Sequence, residues 1–138
     1  MKKEYKILLL GFLAITLLDS IGSITSRHYN FEYSNFASIS ALIYASTGFI
    51  ITRIKNLKNG VFGAALVGLF DSTVGWKISV LFIANTPNIR LHPSLQAWIM
   101  MMIIVSMFAG SLGLIGGGLA KIQMWLSNRK QKKAPLNN

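Results

Sequence analysis

The stretch VFGAALVGLFDSTVGWKISVLFIA, residues 61–84, sets the architecture of this chain. It holds one aspartate, one lysine and no proline. A helix rising about 1.5 Å per residue needs roughly 20 mostly apolar residues to cross a bilayer core, and this stretch supplies them. Apolar and polar residues do not alternate along it, so it does not read as a strand of a membrane barrel. Three further runs qualify: Ile7–Ser26, Phe36–Thr52 and Leu95–Ile122. The second is the shortest and is expected to stand nearly upright or to thin the lipid around it. Backbone groups in lipid must be satisfied internally, so the expected fold is an all-α bundle of four transmembrane helices.

Composition agrees. Of 138 residues, 13% are charged and 52% hydrophobic, and the mean hydropathy is +0.49. So small a soluble domain has too little interior to hide that many apolar side chains. With no cysteine, a disulfide scaffold is excluded, and the hydropathy excludes a disordered chain. The links are short: Arg27–Asn35, Arg53–Gly60 and Asn85–Ser94. Such links make consecutive helices antiparallel neighbours and leave no room for a soluble domain. Pro87 and Pro93 are expected to end the third helix and start the fourth. Residues 1–126 form the expected membrane domain, and 127–138 a polar, basic tail.

Lys2, Lys3 and Lys6 ahead of Ile7–Leu18, with Ser20-Ile21-Gly22 behind, also resemble a secretory signal. Apolar character resumes after Asp19 and runs to Ile24, which favours an uncut first span. The cations set the orientation. Eleven of the fourteen Lys and Arg residues precede the first span, lie in the middle link, or close and follow the fourth span. The positive-inside rule therefore places both ends in the cytoplasm of a cell membrane. Tyr29, Phe31, Tyr33, Trp76 and Trp98 fall near the expected outer boundary, where aromatic rings settle. The net charge of +10 lies at membrane boundaries and not on a folded face, which argues against nucleic acid as a partner. In the tail, Arg129, Lys130, Lys132 and Lys133 are candidate contacts for anionic lipid headgroups, although a topogenic anchor explains them as well.

The first and third spans resemble each other. Leu17-Leu18-Asp19-Ser20 matches Leu69-Phe70-Asp71-Ser72, Gly11 and Gly63 stand eight residues before each aspartate, and Gly22 and Gly75 follow. Ser46-Thr47-Gly48 and Ser111-Leu112-Gly113 form a second, shorter match. The expectation is a duplicated hairpin with a parallel repeat. Asp19 and Asp71 each lie thirteen residues beyond a lysine, Lys6 and Lys58, which puts both roughly 20 Å in from the basic boundary.

Every span carries a stripe of small or polar residues. On the first it is Thr16, Asp19, Ser20, Ser23 and Ser26, and on the second Ser38, Ala41, Ala45, Gly48 and Thr52. The third has Ala64, Gly68, Asp71, Ser72, Gly75 and Ser79, and the fourth Ser106, Gly110, Gly113, Gly117 and Ala120. Small stripes let backbones approach, so Gly48, Gly68, Gly75, Gly110, Gly113 and Gly117 are expected packing positions. The fourth span also offers a surface for a second copy, giving an expected homo-oligomer or a place in a larger complex.

An ionisable group within a span costs about 2.5–3.5 kcal/mol on insertion scales and normally faces a partner or a wet site. Asp19 and Asp71, with Ser20, Ser23 and Ser72, are therefore the candidate binding residues. Two adjacent carboxylates resist joint ionisation, so the pair would hold a cation or shuttle protons. Alternatively, each aspartate staples helices through hydroxyl and backbone bonds. Enzymatic signals are absent: His28 and His92 lie in separate links without metal spacing, and no nucleophile motif occurs. Gly68-Leu69-Phe70-Asp71 lacks the glycine directly before the aspartate that intramembrane aspartyl proteases carry. No cofactor, metal or catalysis is expected. The reading is a small cation- or proton-handling unit, the alternative a non-catalytic accessory or scaffold subunit.

Overall fold

The computed structural model describes residues 2–86 and 93–133; Pro87, Arg90, His92 and the side chains of Lys130, Lys132 and Lys133 lie outside the described residues. The described residues are helical, without a strand. Helix α1 spans Lys3–His28, and a 3-10 turn at Tyr33–Phe36 leads into α2, Ala37–Ile54. Helix α3, Leu57–Phe70, passes through a π turn at Asp71–Gly75 into α4, Trp76–Leu81, as one continuous rod. Helix α5 runs Leu95–Lys133. Four rods, Lys3–His28, Tyr33–Ile54, Leu57–Leu81 and Leu95–Arg129, are long and apolar enough to cross a membrane.

The helices outrun the apolar stretches where no residue stops them. In α1 Lys3, Glu4, Tyr5 and Lys6 extend the start. At the other end of the chain α5 continues through Lys133, because Ser127–Lys133 holds neither glycine nor proline. The first seven residues of the expected tail are therefore helical, and Arg129 lies over the Trp125 ring at 3.8 Å. The middle link shrinks to Lys55 and Asn56, with Asn56 Oδ1 accepting the Asn59 N–H at 2.9 Å as an N-cap. Pro93 precedes α5 as expected, with Ser94 Oγ accepting the Ala97 N–H.

Pro87 does not end the third rod, which stops at Leu81. Its stop matches that of α1. Asn30 and Ile83 both take φ 54°, and the following N–H reaches back five residues, Phe31 to Ser26 (3.1 Å) and Ala84 to Ser79 (2.9 Å). This Schellman-type closure normally uses glycine or asparagine. Ile83, β-branched, is a strained occupant.

The interior mixes a small apolar core, Ile15, Tyr44, Ala64, Val67 and Ala109, with polar side chains, and the exterior is apolar. Asp19, Ser23, Ser26, Thr47, Thr52, Ser72 and Ser79 are buried, whereas Leu9, Leu13, Leu17, Leu42, Ile104 and Phe108 are exposed. In water such an apolar girdle would drive aggregation; in lipid it costs nothing. Helices α2, α3 and α5 form the tight trio. A Cβ on Gly48 would come within 2.5 Å of the Gly113 backbone, and one on Gly116 would run into the Ala45 carbonyl. A Cβ on Gly113 or Gly68 would run into Ala64 or Ala109, and one on Gly117 would come within 2.5 and 2.6 Å of Leu57 and Thr52. Gly110 is looser: a Cβ there would lie 3.6 Å from Ala65, an ordinary contact. The glycine stripe of α5 is thus filled by α2 and α3 of the same chain. It is not left free as a mating surface. Helix α1 packs on both α2 and the third rod, to which the stacked rings of Phe12 and Phe70 (4.5 Å) tie it.

The two ends of the bundle are fastened differently. Glu4 and Lys55 form an ion pair at 3.0 Å at one end. At the other, Asn85 joins both links. Its carbonyl accepts the Tyr33 N–H (3.0 Å), its N–H donates to Ser26 Oγ (3.2 Å), and its side chain donates to Asn30 (3.3 Å).

Candidate functional site

Along α1 the residues Asp19, Ser23 and Ser26 fall at helical spacing on one face, and all three are buried. Ser20 sits beside that face and returns its hydroxyl to the Thr16 carbonyl at 2.7 Å. The helix here is regular.

The third rod is not. A π turn admits an extra residue and loosens the usual carbonyl pairing, and side-chain donors take up the slack. Thr73 Oγ1 donates to Leu69 O at 2.7 Å and Ser72 Oγ to the same carbonyl at 3.0 Å. From α5, Trp98 donates its indole N–H to the Ser72 carbonyl at 3.3 Å. These bonds hold the widened turn open at Asp71.

The two carboxylates meet over Gly75. A Cβ on Gly75 would collide with Asp19 Oδ2 and lie 2.7 Å from Asp71 Oδ1. Only glycine leaves room for α1 and the π turn to bring both acids to one point. Each acid also receives a tyrosine. Tyr33, from the 3-10 turn, donates to Asp19 Oδ1, and Tyr44, from the middle of α2, donates to Asp71 Oδ2. The remaining oxygen of Asp19 is buried and has no hydrogen-bond partner among the described residues, and the same holds for Ser23 Oγ.

A cavity of about 170 Å³ opens onto this pair. Asp19, Asp71, Tyr33, Ser72, Ser79 and Thr86 supply its polar groups, and Trp76, Val80, Met101 and Val105 carbon-lined walls. No lysine or arginine is among the described residues lining it. Lys77, one residue past Trp76, places its ammonium over the Trp98 ring at 5.4 Å.

Of the sequence-derived candidates, Asp19, Asp71 and Ser72 line the cavity, and Gly75 lies between the carboxylates. Ser23 is buried on the Asp19 face, and Ser20 is turned to its own backbone. Tyr44 was not singled out in the sequence, and Tyr33, Trp76 and Trp98 were read as boundary aromatics. The signal was present for Tyr44, since a phenol in the middle of a span needs a polar partner. Among the described residues no group of three His, Cys, Asp or Glu side chains comes together as a metal site.

The acidic, partly carbon-lined cavity thus lies among four helices long and apolar enough to cross a membrane. The chain matches no family model, no curated protein and no solved structure.

Proposed function

We propose that this chain is a multi-pass protein of the plasma (inner) membrane that handles a cation or a proton at the Asp19–Asp71 site. One observation carries the reading: two carboxylates from different rods converge on Gly75, one with a buried, unpartnered oxygen, inside a bundle whose exterior is hydrocarbon. Acids are expensive in a span and are kept where they bind or relay charge. Two adjacent carboxylates can hold one cation or one proton between them. The test is ion movement into liposomes holding the purified chain. Wild type should move protons or a monovalent cation, and Asp19→Asn and Asp71→Asn should each abolish most of the flux. The double variant should be little worse than either, because residues of one unit do not add.

Both termini are assigned to the cytoplasm. The cations at the Lys2 end, in the Arg53–Lys58 region and on the C-terminal part of α5 support this, and the Glu4–Lys55 pair holds the first two groups at the same end of the bundle. In the cysteine-free chain, Asn88→Cys should react with an impermeant reagent in intact cells and Asn56→Cys should be protected. The reverse pattern would invert the assignment.

The duplicated hairpin belongs to the same proposal. Gly11, Asp19 and Ser20 match Gly63, Asp71 and Ser72 at one offset, whereas Gly22, Ser26 and Asn30 match Gly75, Ser79 and Ile83 at an offset one residue larger. The change of offset falls inside the π turn, which accommodates one extra residue.

The accessory-subunit reading has its own support: each carboxylate already ties two elements together through a tyrosine. It gains if wild type moves neither ion while the asparagine variants fold normally. An oligomer or larger assembly remains part of either reading, on a face other than the filled glycine stripe.

A further inference from the structure

The cavity offers more room, and a different lining, than a bare ion requires. A water molecule needs about 10–15 Å³ of such space, and an engineered apolar cavity of about 150 Å³ holds benzene. The cavity here measures about 170 Å³. At its polar end Asp19, 2% exposed, aims an unpartnered Oδ2 beside Asp71 Oδ1. A buried carboxylate oxygen without a donor is costly, and the tyrosines satisfy only the other oxygen of each acid. A proton shared with Asp71 Oδ1 or a cationic donor would satisfy it, and the cavity has room for the second. The remaining lining residues, Trp76, Val80, Ala84, Thr86, Met101 and Val105, are mostly carbon and add only the Thr86 hydroxyl for a hard metal ion, which gathers six or more oxygens. They do suit hydrocarbon, and an aromatic face attracts a cation.

We propose that this cavity binds a small organic ammonium ion, its N–H groups donating to Asp19 Oδ2 and Asp71 Oδ1. Its hydrocarbon part lies against Trp76, Met101 and Val105. An ammonium with N–H groups fits better than a quaternary one, because only the former donates to the unpartnered oxygen. The inference rests on the reading of the two aspartates as a cation site and adds the class of cation.

The test is calorimetric titration of the purified full chain in detergent with benzylammonium at neutral pH. Benzyl alcohol serves as the uncharged shape match and sodium as the bare ion. Benzylammonium should bind saturably, and benzyl alcohol at least about tenfold more weakly, a difference of about 1.4 kcal/mol. Sodium should not displace it. Asp19→Asn should weaken binding at least about tenfold. Val105→Phe fills the carbon-lined end and leaves both acids in place, and it should do the same. Far-UV circular dichroism and gel filtration establish that the variants fold; if Val105→Phe does not, Val80→Phe replaces it. Equal binding of benzyl alcohol, displacement by sodium, full affinity in the filled variant, or no binding would each overturn the proposal. Ion flux in liposomes without benzylammonium binding overturns this inference and leaves the transport reading standing. Benzylammonium binding without flux does the opposite.

Discussion

Asp19 and Asp71 follow nearly the same local string, Leu-Leu-Asp-Ser and Leu-Phe-Asp-Ser, yet their backbones differ. The first string lies in an unbroken α-helix; the second opens a π turn. Ser20 reaches back four residues to Thr16, whereas Ser72 reaches back three to Leu69 and Thr73 joins it there. Beyond the aspartates the two arms run one residue out of step. Gly22 is three residues past Asp19, and Gly75 is four past Asp71. Gly22 faces Phe36 and Tyr33 rings, whereas Gly75 faces the two carboxylates. The lesson is that the string fixes which residue is acidic and the neighbours fix the backbone that presents it. Trp98 from α5 and the Asp19 carboxylate from α1 both bear on the widened turn, whereas α1 meets the Tyr33 and Phe36 rings at Gly22.

That contrast can be broken most severely by deletion. Removing Ile21 from α1 should rotate everything after it by about 100° and carry Ser23 and Ser26 off the buried face. The expected outcome is loss of the folded, monodisperse protein in detergent. Removing Val74 from the π turn should restore ordinary helical phase on both sides. That variant should still fold, with disturbed placement of Asp71. Equal loss from both deletions would show that the π turn does not hold an extra residue of this kind.

Smaller effects sharpen the comparison. Gly75→Ala should destabilise by about 2–3 kcal/mol, since its methyl has only carboxylate oxygens to displace. Gly22→Ala meets the far edges of aromatic rings at 3.1 Å, which can give way, and should cost under about 1 kcal/mol. Thermal unfolding in detergent reads both. By the same measure Tyr44→Phe should cost about 1–2 kcal/mol, because it strands a carboxylate oxygen inside the bundle. Tyr33→Phe should cost less, its ring being only partly buried. Trp98→Phe, which removes one neutral bond to the Ser72 carbonyl, should cost about 0.5–1 kcal/mol. Ser20→Ala should change stability by no more than about 0.5 kcal/mol, since helix carbonyls keep their own N–H partners.

The spans were legible because hydropathy over some twenty residues leaves few alternatives to a helix in lipid. The buried faces were legible too. Of the stripes, Asp19, Ser23 and Ser26 on α1 and Ala64, Gly68, Ser72, Gly75 and Ser79 on the third rod are buried, whereas Thr16, Ser20 and Asp71 are half-buried. Helix ends were less so. Lys3 to Lys6 and Ser127 to Lys133 carry no apolar signal, yet nothing in them prevents helix. The π turn left no mark on hydropathy, since one extra residue in an apolar run changes no average. Its trace was the changed offset between Asp71 and Gly75. The tyrosine partners were hidden by distance: Tyr33 is fourteen residues from Asp19 and Tyr44 twenty-seven from Asp71. Only packing of four rods brings those pairs together. The glycine face of α5 lies close to α2 and α3, but periodicity along one helix does not say whether the partner helix comes from the same chain.

The central claim is that Asp19 and Asp71 act as one unit over Gly75. A double-mutant cycle on thermal stability tests it without knowledge of a ligand. Asp19→Asn, Asp71→Asn and the double variant would be unfolded in detergent at fixed pH and salt. Contact between the carboxylates predicts a coupling of at least about 0.5 kcal/mol, the double variant departing from the sum of the singles. Additivity within about 0.3 kcal/mol would mean that the two acids occupy separate sites and would contradict the account.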